Sequence, residues 1–198
     1  MTRNSALGMV SRGIRQSCLA SFLLTLSSMT AMADPLDCSN VSNVVPSADI
    51  SYSEGDSYVR YQLSYDQEGY HWEGTAYEFH SPTSDNSLLD GIEQAGVGDL
   101  TEVIAENYRK LLVESGAHAV LEAPRQSSTK QGLVVTFDAV DESLPFTYGF
   151  HARRYGDSVQ VFNVSGIDAG TETGSVPSNA QSVEAVTKLI QSCQLDET

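Results

Sequence analysis

Two cysteines, Cys38 and Cys193, stand near opposite ends of what remains once the first 33 residues are set aside. They constrain the fold more than any other feature. In an oxidising compartment an even pair of this kind is expected to bond. Such a bond would bring both ends of the domain to one place and close a loop of most of the chain, which the chain-entropy model values at about 5 kcal/mol. A free pair or an intermolecular link would lift that constraint. No CxxC pair is present, so the cysteines do not read as a redox site.

The N-terminal residues point to such a compartment. Arg3, Arg12 and Arg15 precede an apolar run from Cys18 to Leu26, and Ala31 and Ala33 stand just before Asp34. This is the pattern of a Sec-type secretory signal with an A-x-A cleavage site. The run is far shorter than the roughly 20 residues that cross a bilayer, so removal is expected and not anchoring. Neither Cys18 nor Cys38 has the small-residue context of a lipoprotein cysteine, and Arg12 and Arg15 do not form a twin-arginine signal. The domains expected are therefore a cleaved signal at 1–33 and one α+β domain at 34–198. Residues 34–50 read as an irregular leader tied down by the disulfide.

Three arginines leave with the signal, so the formal charge moves from −15 to −18. That field disfavours nucleic acid and anionic lipid and favours a cationic protein partner. Solubility, or adaptation to a salty medium, is the plainer reading of the same charge. No later run is apolar and long enough to span a membrane, and oligomeric state is not readable.

The best-signalled element lies between Gly98 and Gly116. Leu100, Val103, Ile104, Tyr108, Leu111 and Leu112 recur at helical spacing, Asp99 and Glu102 stand at capping-box positions, and Gly116 can supply the left-handed stop. Before it, Tyr58–Tyr65 and Tyr70–His80 alternate as two strands around a turn at Asp66–Gly69, the expected first hairpin. Residues 81–98 read as a loop. After it, strands are expected at Ala117–Glu122, Leu133–Val140, Phe146–Tyr155 and Ser158–Gly166, with a turn at Gly156 and Asp157 and a meander as the economical connection. In the third of these, Phe146, Tyr148, Phe150 and Ala152 form a dry face, and Thr147, Gly149, His151, Arg153 and Tyr155 a mixed one. Ser178 and Gln181 make a second capping box, before a stripe of Val183, Val186, Leu189, Ile190 and Cys193. The fold class is α+β: an antiparallel sheet packed against an amphipathic central helix and a C-terminal helix.

Chemistry-bearing motifs are scarce. His71 and His80 fall on opposite faces of one strand, and His118 and His151 complete no ligand spacing, so no metal or other cofactor is expected. No G-x-S-x-G elbow, phosphate loop or dinucleotide fingerprint occurs. Tyrosine and tryptophan crowd the first hairpin, and Tyr61, Tyr65, Tyr70, Trp72 and Tyr77 mark a candidate binding surface there. Ordinary sheet packing accounts for the same residues.

The order of these elements, with the helix DLTEVIAENYRKLLVESGA, the strands QGLVVTFDAV and TYGFHARRYGDSVQVFNVSG and the helix VEAVTKLIQSC, resembles the Mog1/PsbP/DcrB-like α/β/α sandwich over about residues 55–195. The resemblance implies a largely non-enzymatic family of binding, assembly or accessory proteins, several of them exported. The chain is also similar to a periplasmic domain joined to OmpA-like proteins, which places an ENY-containing helix before a glycine and a strand. The function expected is thus a soluble periplasmic or secreted binding or accessory protein and not an enzyme. The alternatives are an immunity-like inhibitor of a cationic secreted toxin, or a hydrolase with dispersed carboxylates, since glycosidase-type acid pairs leave no local motif. The export reading predicts that the mature protein begins at Asp34. N-terminal sequencing of protein recovered from the periplasm or medium checks this, and an intact Met1 start would refute it.

Overall fold

Extended backbone points successive side chains to opposite faces, so the alternation in this sequence can build a sheet with two usable sides. The computed structural model describes residues 36–56, 58–80, 99–116, 119–120, 123–141, 144–155, 158–170 and 175–193. The segment at 1–33 expected to be an export signal, the loop expected at 81–98, His118 and the turn expected at Gly156 and Asp157 lie outside the described residues. The elements are α1 (Val41–Val44), β1 (Asp49–Gly55), β2 (Tyr58–Gln67), β3 (Tyr70–His80), α2 (Leu100–Glu114), β4 (Ala119–Val120), β5 (Arg125–Thr129), β6 (Gly132–Asp141), β7 (Leu144–Tyr155), β8 (Ser158–Asp168) and α3 (Asn179–Ser192). All pairings among them are antiparallel, in the spatial order β1-β2-β3-β8-β7-β6-β4, with β5 also on the outer side of β6.

The meander β6-β7-β8 is as expected, and the hairpin β2-β3 joins it along β8. Glu68 and Gly69 alone form the hairpin turn, with φ of 52° and 83°, because both central residues of this tight turn need the left-handed region. Two expectations are corrected. The leader at 34–50 is not irregular throughout: it contains the single turn α1, and Asp49 already begins β1. The strand β5, Arg-Gln-Ser-Ser-Thr, was not expected at all, since an exposed edge strand needs no apolar residue. Of the strand expected at Ala117–Glu122, Ala119–Val120 is extended as expected, and the other four positions lie outside the described residues.

The two longer helices cover opposite faces. Ile104 and Ala105 of α2 pack on Val135, Phe137, Ala139, Tyr148, Phe150, Val159 and Val161. Ala185, Val186, Leu189 and Ile190 of α3 pack on Leu63, Trp72, Ala76, Val134, Phe162 and Val164. The mixed face of β7 is therefore covered too: Thr147 is bonded to Ser182 at 3.0 Å, and Gly149 lets Val186 come so close that a Cβ there would lie 2.7 Å from it. The capping box of α3 is formed by Ser178 and Gln181 as expected. The Cys38–Cys193 bond is present, with both residues buried, and it holds Leu36, Val41 and Val45 in the core beneath α3.

The central helix keeps its ends but not its stripe. Asp99 accepts from the Thr101 N–H at 2.8 Å and Gly116 has φ of 69°, yet Glu102 takes Gln126 in place of a capping-box partner. The buried positions are Thr101, Ile104 and Ala105, whereas Leu111 is 59% exposed. The reason lies in the sheet. Pairing of β6 with β7 stops at Val135 and Phe150, and the N–H and C=O of Ala152 that would continue it both engage the Thr101 hydroxyl at 3.2 Å. One step away, the Leu133 carbonyl accepts from His151 Nδ1 at 2.8 Å. A helix side chain thus completes the ladder, which rotates α2 toward Thr101 and away from Leu111. Thr101→Val should cost about 1–3 kcal/mol in urea unfolding, because it strands two buried backbone groups, and Thr101→Ser should recover most of the loss. Equal midpoints for the valine variant and the native chain would contradict this role.

Candidate functional site

β1 lengthens the aromatic hairpin by one strand and adds the parts that reach solvent. Tyr52 lies opposite Tyr61 in register, with ring centroids 5.0 Å apart and planes tilted by 53°. Ile50 and Tyr52 are 44% and 54% exposed. The Tyr52 hydroxyl donates to Glu54 Oε2 at 2.7 Å, and this bond, reinforced by the carboxylate's charge, pushes the Tyr52 pKa up to about 12. Burial, with the charges of Asp37 and Glu54, also raises Tyr61. Both phenols therefore stay neutral across physiological pH, presenting π faces framed by carboxylates. Such a surface attracts ammonium and guanidinium groups, by quadrupole and by charge.

The five hairpin aromatics expected to form one surface are divided by the fold. Tyr65 and Trp72 are core residues beneath α3, at 6% and 3% exposure. Tyr70 is half-buried, edge-on to Trp72, with its hydroxyl donating to the Val176 carbonyl at 3.4 Å. Tyr77 faces the opposite side and stacks on Phe79. Of the five, only Tyr61, itself half-buried, adjoins the exposed Ile50 and Tyr52, which are its unanticipated neighbours. Ile50, Tyr52 and Glu54 do alternate with serines in the sequence, the signal that would have extended the hairpin backwards.

A second polar group lies at one end of the α3 face. Arg153, Gln160 and Glu78 stand abreast on β7, β8 and β3. Arg153 Nε donates to Gln160 Oε1 at 2.9 Å, and Gln160 Nε2 donates to Glu78 Oε2 at 2.9 Å. The same carboxylate oxygen accepts the Leu36 N–H at 2.8 Å, and His80 Nδ1 lies 3.4 Å from the other. The Arg153 guanidinium sits over the rings of Phe162 and Tyr155, so this file secures the start of the leader to the sheet. His71 pairs instead with Asp66 at 2.7 Å. Among the described residues, no three His, Cys, Asp or Glu side chains are grouped to hold a metal ion, and no helix is long and apolar enough to cross a membrane. A shallow notch lined by Gln67, Glu68, Trp72, Gln181 and Ala185 lies beside the N-terminal half of α3. No family model matches the chain, and no curated protein shows significant similarity to it.

His151 fills the parting between β6 and β7 and is 3% exposed. Its Nδ1 bond to a carbonyl fixes the proton on that nitrogen, and Nε2 is buried with no hydrogen-bond partner. Burial, followed by the nearby Arg153 charge, lowers its pKa from the ordinary value of 6.5, while the Leu133 carbonyl and Asp99 act in the opposite direction. The neutral form is thus built into the fold. As pH falls through about 6.5 the unfolded chain takes up a proton that the folded chain refuses, so stability should decline, by at most about 1.4 kcal/mol per pH unit. Urea midpoints from pH 7.5 to 5 should fall more steeply for the native chain than for His151→Asn, which keeps a donor but does not titrate; parallel curves would exclude His151 as the cause.

Proposed function

We propose that this chain is an exported, non-enzymatic binding protein that takes a cationic protein partner at the β1 side of its sheet. The observation that carries the reading is the patch of exposed Ile50 and Tyr52 beside half-buried Tyr61, framed by Asp37 and Glu54. The disulfide favours a compartment outside the reducing cytoplasm, and the charge of −18 expected after processing favours a basic partner. Helices on both faces of an antiparallel sheet are compatible with the PsbP-like reading, in which accessory and assembly roles predominate. An inhibitor of a cationic secreted toxin is the sharper form of the same idea, since an acidic docking face steers and holds such a target.

Titration calorimetry of the mature protein with a lysine-rich peptide and its glutamate counterpart tests the proposal. The lysine peptide should bind, lose affinity as salt is raised, and lose about tenfold with Tyr52→Ala combined with Glu54→Gln. Lys110→Ala, on the exposed side of α2, should leave the affinity unchanged. Equal binding of both peptides, or none of either, would overturn the reading.

A further inference from the structure

We infer that the partner binds β1 by adding an extended, cationic segment to the sheet as a further strand. The inference rests on the cationic-partner reading and gives it a geometry. β1 ends the strand order, and among the described residues nothing pairs with its outer side.

The backbone register settles which β1 groups are open. Gln67 and Tyr70 flank the two-residue turn, and the pair that closes such a turn exchanges both hydrogen bonds. Odd-numbered β2 residues therefore bond to β3 and even-numbered ones to β1. An independent bond agrees: Ala169 N–H donates at 3.0 Å to the Gly69 carbonyl, so odd-numbered positions on the β3 side bond toward β8. Carried across the β1–β2 register, this makes Asp49, Ser51, Ser53 and Gly55 bond inward. Ile50, Tyr52 and Glu54 are left with both backbone groups directed outward.

Those three are also the residues of the patch. Ile50 lies opposite Leu63, Tyr52 opposite Tyr61 and Glu54 opposite Val59, all on the α3 side. An incoming strand would therefore find backbone donors and acceptors at every second residue. Its own side chains on that face would meet an isoleucine, a tyrosine ring and a carboxylate. Lysine or arginine at alternate positions suits this row, since the cation can lie on the Tyr52 face beside Glu54. A second copy of the chain is a poor occupant. Carboxylates at Asp49 and Glu54 and the large like charge of two copies oppose edge-to-edge self-pairing.

The probe is a peptide alternating lysine and valine, added to the mature protein, with versions N-methylated at alternate amides along one edge or the other. Methylation along the pairing edge should weaken binding about tenfold or more, and methylation along the opposite edge should not. Hydrogen exchange should slow at the Ile50, Tyr52 and Glu54 amides and stay unchanged at Ser51 and Ser53, a readout that needs no substitution in the protein. Equal binding by both methylated forms, with loss on lysine-to-glutamate exchange, would overturn strand addition and leave the cationic reading standing. Equal binding when threonine replaces lysine, with edge sensitivity kept, would overturn the cationic reading and keep the strand. A dimer of the protein alone that the peptide dissociates would overturn the assignment of the edge to a partner segment.

Discussion

The bond between Cys38 and Cys193 is the constraint on which the β1 half of the molecule depends. It ties the leader to the end of α3, where Asn40 also donates to the Gln191 carbonyl. With the leader seated, Leu36 reaches Glu78 and Asp37 comes near enough to Tyr61 to raise its pKa. The patch on β1 is thus partly an effect of a covalent link in the core. The stabilisation the bond brings, about 5 kcal/mol by loop entropy, is comparable with the whole stability of many domains.

The other half is organised by a break in hydrogen bonding and not by a bond. Where β6 and β7 part, two side chains stand in for backbone: Thr101 satisfies Ala152, and His151 satisfies Leu133. Buried backbone groups must be paired, so the parting fixes the identity of both substitutes and, through Thr101, the roll of α2 on the sheet. Leu111 and Val113 are left facing solvent, each at least half exposed, which makes the outer face of α2 more apolar than its charged residues imply.

Much of this architecture was legible. The hairpin strands, the meander, Asp99, Gly116 and the Ser178 capping box follow from periodicity and local hydrogen-bonding chemistry, which act over a few residues. What escaped was set by pairing at long range. β1 and β5 are edges, so their positions need not be apolar, and the alternation with serines at Ile50, Tyr52 and Glu54 carries only two apolar residues, a short signal. The burial of Thr101 and the exposure of Leu111 depend on where a distant strand stops pairing. Likewise, the aromatic count of the hairpin was visible, but whether Trp72 faces a ligand or Ala185 depends on α3, more than a hundred residues away in sequence.

The placement of β3 beside β8 joins parts of the chain that lie far apart in sequence. Strands 2 and 3 are complete early in synthesis, whereas β8 and α3 come from the C-terminal end of the chain. The seam between them closes a large loop, an entropic cost that slows folding. Until it closes, Trp72, Tyr65 and Leu63 have no helix to cover them, and Cys38 lacks a partner that stands 155 residues further along the chain. Before that seam forms, a fragment of β1, β2 and β3 alone would present to solvent the apolar face that α3 covers in the folded protein.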